Sequence, residues 1–286
     1  MAKARPLVTL IVISYNQEAY IRPALAAAFS QTYSPLSIEI SDDASTDGTF
    51  KIIESVCANY FGPHNIIFTK NSINLGLISH LNFVNQRAKG ELIVISAGDD
   101  ISIPERVERI VEAYVRGGFC SHYFFSLVRS MDESGELGGS YQSPGATCAK
   151  SRLRSGLASY PLAIGASQAY TKYFIDAFPP MNHRLWAEDQ IYGFRGILLG
   201  PVTYINEALV NYRSTGISNA RRRWSLRQYI SNQINVLAVY RQRASDAFFM
   251  RQSFLGVIIL LKLTALTVFF PMSPILSILR RWKRKR

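Results

Sequence analysis

The feature that most constrains this chain is the alternation, over its first 115 residues, of apolar β-rich runs with segments of helical spacing. Residues 7–14, 37–41, 65–69 and 91–96 read as strands. Residues 18–30, 49–60 and 77–88 read as the helices between them, the second with Phe50, Ile52, Ile53 and Val56 on its apolar side. Pro104 opens a further helix where its missing N–H costs nothing. Val107, Ile110, Val111 and Tyr114 give that helix one apolar face. Strands alternating with helices of this length imply an α/β fold, with a mostly parallel sheet covered by helices on both sides. In such sheets a ligand sits beyond the carboxyl ends of the strands.

The polar residues obey that rule. Tyr15-Asn16, Asp42-Asp43, the run from Asn71 to Asn74, and Asp99-Asp100 each follow a strand, so the topology gathers all four clusters at one edge. Asp99-Asp100 come after the small residues Ser96-Ala97-Gly98, a setting that suits a Mg²⁺ or Mn²⁺ ion bridging phosphate oxygens, although an Asp-Asp turn by itself is weak evidence for a metal. A carboxylate of Asp42-Asp43 can accept from a base N–H or a ribose hydroxyl, while Asp47 and Thr49 cap the next helix. The stretch Asp43-x-Ser45-x-Asp47-Gly48, with Glu54 at the twelfth position, also has the form of a calcium loop. Such a loop needs a helix before it, and residues 37–41 alternate like a strand.

Beyond Phe119 the pattern loosens. Residues 134–155 are rich in Gly, Ser and Pro and read as a long loop, a candidate lid. Helical spacing returns over 186–199, residues 202–212 read as a strand or hairpin, and 221–251 as a long basic helix. Glu188-Asp189 stand at a helix start. One of them can be a general base for an attacking hydroxyl, or both can be ordinary first-turn acids that favour the helix dipole. The four histidines lack metal-ligand spacing, and no Ser-His-Asp arrangement, phosphate-binding loop or dinucleotide fingerprint is present.

Five of these segments, in this order and spacing, resemble family-two glycosyltransferases of the GT-A fold. They are Val8 to Asn16, Ser30-Gln31-Thr32-Tyr33, Ser41 to Thr49, Asn74-Leu75-Gly76, and Ala88-Lys89-Gly90-Glu91 leading to Gly98-Asp99-Asp100. The resemblance is dense over residues 6–115 and sparser to Arg213. It implies an inverting transfer from a nucleoside-diphosphate sugar to a hydroxyl of a glycan or lipid-linked acceptor, with a divalent metal, Mg or Mn, as cofactor. It places Ser14, Tyr15, Asn16, Asp43, Asn74, Gly76 and Asp99 around the nucleotide sugar, and Asp99 and Asp100 at the metal. It makes Asp189 the catalytic base, with Trp186, Glu188 and Arg213 around the acceptor or supporting the site. Two positions depart from the family pattern: Ala97 stands where the acidic motif usually begins with Asp, and Thr215 where a metal-binding His is common. The implied organisation is a GT-A domain over 1–220, with a nucleotide-sugar half (1–115) and an acceptor half (116–220).

Charge sets residues 221–286 apart. They hold 14 of the 32 Lys and Arg residues and only Asp246 of the 20 acids, so the net charge of +12 belongs to them and the first 220 residues are nearly neutral. Within this tail an apolar run, 254–270, is interrupted by Lys262 and followed by Pro271 and Pro274; the chain then ends in Arg280-Arg281-Trp282-Lys283-Arg284-Lys285-Arg286. Apolar residues beside clustered cations and an interfacial Trp suit an anionic bilayer surface, as a peripheral or re-entrant segment over 254–286. Nucleic acid is not the expected partner, since the tail lacks interleaved aromatics and any reading motif. Three widely spaced cysteines suit a reducing compartment. The expectation is an enzyme at the cytoplasmic face of the inner membrane, in bacterial surface polysaccharide or lipopolysaccharide synthesis. The alternatives are a non-catalytic nucleotide-sugar binder on the same fold and, more remotely, a basic nucleic-acid-binding protein.

Overall fold

The computed structural model describes residues 5–141, 163–185, 187–213 and 226–269. Strands β1 (Val8–Ser14), β2 (Leu36–Asp42), β3 (Asn65–Lys70) and β4 (Leu92–Ala97) alternate with helices α1 (Ile21–Phe29), α2 (Thr49–Ala58) and α3 (Leu77–Arg87). They pair in parallel in the order β3-β2-β1-β4. The apolar runs of β1 and β4 are nearly continuous because both sheet faces are covered. Val8, Leu10, Val12, Leu92 and Val94 point to one core, with Ile21, Leu25 and Ile53 from α1 and α2 and Val107, Ile110 and Tyr114 from α4 (Arg106–Arg116). The alternate residues Ile11, Ile93 and Ile95 point to a second core, with Ile78, Leu81 and Val84 of α3. The period-two pleat thus assigns each residue to a layer.

The second half of the sheet is mixed, which corrects the expectation of a mostly parallel sheet. After β5 (Ile101–Ser102) come β6 (Tyr123–Met131), β7 (Leu137–Tyr141), β8 (Ala169–Thr171) and β9 (Thr203–Arg213). The sheet continues from β4 as β8-β6-β9-β5, with β7 beside β6. Among the described strands there, only β6 and β9 are parallel; β8 runs antiparallel to both β4 and β6. A 3-10 turn, Gly165–Ser167, leads directly into it. Residues 203–213 form one long strand rather than a hairpin, its irregular register against Ser126–Val128 absorbing the extra residues. Part of the expected 134–155 loop is strand β7; residues 142–155 lie outside the described residues. Pro104 stands in the turn before α4, which begins at Arg106.

The other helices among the described residues are α5 (Lys172–Asp176), α6 (Glu188–Leu199), α7 (Leu226–Phe249) and α8 (Ser253–Phe269). The last two do not stand apart from the sheet domain. Tyr240, Ala244 and Ala247 of α7 and Leu255 and Ile259 of α8 share one core cluster with Phe178, Phe194 and Leu198. Among the described residues no helix is long and apolar enough to cross a membrane.

Candidate active site

The clusters at the carboxyl edge interlock. Ser14 Oγ donates to Asp42 Oδ2 at 3.1 Å, and Asp42 Oδ1 accepts from Ser45 N at 2.8 Å. Asn16, at φ 51°, takes the left-handed conformation that a short amide side chain tolerates, and its Oδ1 accepts from Thr46 N at 2.9 Å. Asp43 is buried. Its Oδ1 accepts from Asn71 Nδ2 at 2.7 Å and Leu75 N at 2.9 Å, and its Oδ2 from Gly76 N at 2.9 Å. Asn74 Nδ2 donates to the Asp43 carbonyl at 3.1 Å. Gly76 has φ 76°, which disfavours any side chain there. The three loops after β1, β2 and β3 thus hold one another in place, with Tyr15 half-exposed among them. The upstream β2 rules out the helix that a calcium loop needs.

Beside this edge lies a cavity of about 530 Å³, lined in part by Asp99, Asp100, Glu188, Asp189 and Arg213. The structure therefore divides the expected site residues. Five of them meet in the cavity, while Ser14, Tyr15, Asn16, Asp43, Asn74 and Gly76 are outside its lining, their neighbours Ile13 and Leu77 belonging to it. Trp186 and Thr215 lie outside the described residues. Asp100 is nearly fully buried, and its Oδ1 accepts from Arg213 N at 2.8 Å. Arg213 Nε donates to the Asp99 carbonyl at 3.2 Å and its Nη1 to the Glu133 carbonyl at 3.1 Å, with the guanidinium 4.3 Å from the Tyr20 ring centroid. Arg213 thus ties the acidic turn to the β6–β7 turn. Burial, then the neighbouring Asp99, pushes Asp100 up to about 7; burial also raises Asp99.

Arg106 is a residue the sequence reading missed. Completely buried in the first turn of α4, it donates to Ser102 Oγ (2.9 Å), the Ile95 carbonyl (2.8 Å) and the Ala166 carbonyl (2.7 Å). It joins the end of β4 to the turn before β8 and places a positive charge near Asp100. A cation in a helix's first turn opposes the macrodipole, and that anomaly was the available signal.

Glu188 and Asp189 open α6 across the cavity. A Cβ at Gly165 would lie 2.4 Å from Glu188 Oε1, so glycine there lets the carboxyl in. Burial raises both acids; each charge on the other's doorstep makes two anions costly, so the pair holds protons to higher pH than free carboxylates do. Gln190 N donates to Asp189 Oδ1 at 2.7 Å. Arg243 of α7, also missed, donates through Nη2 to the Gln190 carbonyl at 3.0 Å, and its charge bears on Asp189.

The adjacent carboxyls of Asp99 and Asp100 suit a divalent cation, whose charge would offset the burial and the mutual repulsion that hold Asp100 above the carboxylate range. Ala97 adds no ligand, and no group of three or more His, Cys, Asp or Glu side chains that could hold a metal occurs among the described residues. The protein could supply two carboxylates at most from the acidic turn, leaving other positions to phosphate oxygens and water.

A family model, glycosyl transferase family 2, matches residues 9–150. The putative glycosyltransferase EpsE of Bacillus subtilis is 35% identical over 106 residues, 37% of this chain and 37% of that protein. The chain therefore aligns with little more than a third of that relative's length. Among solved structures, S. aureus TarS 1-349 in complex with UDP-GlcNAc superposes with a TM-score of 0.59 at 18% identity, over 86% of this chain and 71% of that one. The mannosyltransferase PcManGT from Pyrobaculum calidifontis, in complex with GDP-Man and Mn²⁺, does so with 0.61 at 15%, over 99% and 81%. At these identities the superpositions speak for the GT-A-like frame, and the sequence match carries the family. The chain belongs, through the domain at residues 9–150, to glycosyl transferase family 2, a family of sugar-transferring enzymes.

Proposed function

We propose that this protein moves a sugar, with inversion, from a nucleoside-diphosphate sugar to a hydroxyl of a glycan or lipid-linked acceptor. The observation that carries the reading is the cavity in which the acidic turn after β4 faces Glu188-Asp189 at the start of α6. Asp189 takes the proton of the acceptor hydroxyl as its oxygen attacks the anomeric carbon. The bond from that carbon to the diphosphate oxygen breaks, and the nucleoside diphosphate leaves as an anion. Glu188, held toward its neutral form beside it, leaves Asp189 as the carboxylate of the pair. Asp99 and Asp100 would hold the metal; when bound, Mg²⁺ or Mn²⁺ offsets charge that develops on the leaving diphosphate. Ser14, Tyr15, Asn16, Asp43, Asn74 and Gly76 would frame the nucleotide, Asp43 by exchanging part of its loop contacts for the base. Arg213 keeps the acidic turn in register. The complexes of TarS with UDP-GlcNAc and PcManGT with GDP-Man and Mn²⁺ support a donor and metal of this class.

The exposed apolar side chains of α8 and the basic tail support a site at the cytoplasmic face of a bacterial inner membrane. Membership of family 2, together with this tail, is the ground for reading the pathway as surface polysaccharide or lipopolysaccharide assembly. A thermal-shift panel of UDP-, dTDP- and GDP-sugars, with and without Mn²⁺, tests the donor site. The expected result is a Mn²⁺-dependent rise in melting temperature for one nucleotide class, absent in Asp100→Ala. A rise that persists in Asp100→Ala would remove the acidic turn from the metal.

A further inference from the structure

Resting on Asp189 as the base, we propose that Arg243, on a helix beyond the family-matched residues, is a positioning residue that fixes the Asp189-Gln190 backbone and keeps a positive charge beside the base. Gln190 is held at both ends: its N–H donates to Asp189 Oδ1 at 2.7 Å and its carbonyl accepts from Arg243 Nη2 at 3.0 Å. The rotamer of Asp189 and the entry of α6 therefore depend on a side chain that α7 carries.

The register of α7 on α6 is locked one turn further on. Arg195 Nε donates to Asp246 Oδ2 at 2.8 Å and Arg195 Nη2 to Asp246 Oδ1 at 3.0 Å, a bidentate pair whose side chains are 4% and 0% exposed. Gln242 Nε2 adds a third donor to Asp246 Oδ1 at 3.0 Å. Arg243 lies between the rings of Phe194 and Tyr240, 5.7 Å from each centroid, and is 2% exposed. A buried guanidinium is costly, and an apolar side chain would pack against those rings at least as well. Its presence is explained by what it faces. Among the described residues, the titratable groups that bear on Asp189 include the Glu188 carboxyl, the Tyr123 hydroxyl and Arg243. Burial holds the first two toward their neutral forms and pushes Asp189 up as well; Arg243 pulls Asp189 the other way.

The test measures nucleoside-diphosphate release from UDP-, dTDP- and GDP-sugars with Mn²⁺, water serving as acceptor, over roughly pH 5 to 9. Full-length wild type, Arg243→Gln, Arg243→Lys and Asp189→Asn are compared, with melting curves as the check on folding. Arg243→Gln is expected to lose about tenfold or more in kcat with donor KM nearly unchanged, and to move the acid limb of the kcat profile to higher pH. Arg243→Lys returns the limb toward the wild-type position. A folded Gln variant with the wild-type acid limb overturns the proposal. Where the Gln variant does not fold, the Lys variant decides. An unmoved limb with kcat several-fold down at constant donor KM supports the proposal, and a raised KM at constant kcat overturns it. Turnover that survives in Asp189→Asn sinks the base assignment beneath it. Loss there, with a wild-type profile in Arg243→Gln, sinks only the role of Arg243. Absence of release from every donor in wild type overturns both.

Discussion

Asp100, proposed above as a metal ligand, is a residue whose burial costs stability. It is a nearly fully buried carboxyl with a second carboxyl adjacent, and its folded pKa of about 7 stands well above that of a free carboxyl. The sign follows directly: the native state disfavours the anion, so the penalty is complete above about pH 7 and declines steadily as pH falls from there toward the free-carboxyl value of 3.8. Asp100→Asn keeps an oxygen for Arg213 N and removes the charge. In metal-free solution at about pH 8 the variant should be more stable than wild type by about 2 kcal/mol, the gap closing toward about pH 5. Urea titrations at both pH values check this, and equal stabilities at the higher one would contradict it. Residues of this kind were legible in the sequence. Adjacent acids after a strand or at a helix start are conspicuous, and the topology says which edge they share. Arg106 and Arg243 were not. In a sequence an arginine reads as a solvated cation, and only packing reveals that Arg106 ties β4 to the β8 turn and that Arg243 reaches Gln190.

At the scale of elements, the first seven strands and helices stand where hydrophobic periodicity put them, because β1 and β4 feed two cores while β2 and each helix feed only one. Residues 123–213 were harder to read. A three-residue β8 carries no periodic signal, and β7 lies in a Gly- and Ser-rich stretch whose pairing comes from β6. The α7–α8 pair is half tertiary core and half exposed surface. Leu255 and Ile259 pack inward, whereas Phe254 and Leu261 are 77% and 65% exposed, with Phe249 nearby at 58%. These side chains and the clustered Lys and Arg motivate the proposal that the tail meets an anionic bilayer. Phe254→Ser combined with Leu261→Ser should cut co-sedimentation with anionic phosphatidylglycerol vesicles several-fold, leave neutral phosphatidylcholine binding low, and barely change melting temperature. Equal co-sedimentation of wild type and the double variant would remove α8 from the membrane contact.

For the whole molecule, the sheet's two halves do different work. The parallel half gathers interlocked loops at one edge, and the mixed half brings the start of α6 to face them across a cavity. No local pattern announces that Asp99-Asp100 and Glu188-Asp189, far apart in sequence, line one space; the β4-β8-β6 junction does that. The family resemblance implied roles for them, and the fold brings them to one cavity. Where the tail helices belong was likewise a tertiary question, since α7 shares its core with α6 rather than standing off as an appendage. The central claim is that Asp189 is the base of a sugar transfer, and Asp189→Asn tests it most directly. With the donor that gives the largest thermal shift, nucleoside-diphosphate release and donor affinity are measured for wild type and variant with Mn²⁺ present. The account predicts that the variant loses about a hundredfold or more in kcat while its donor Kd changes little. Turnover at the wild-type rate in a folded Asp189→Asn would contradict it.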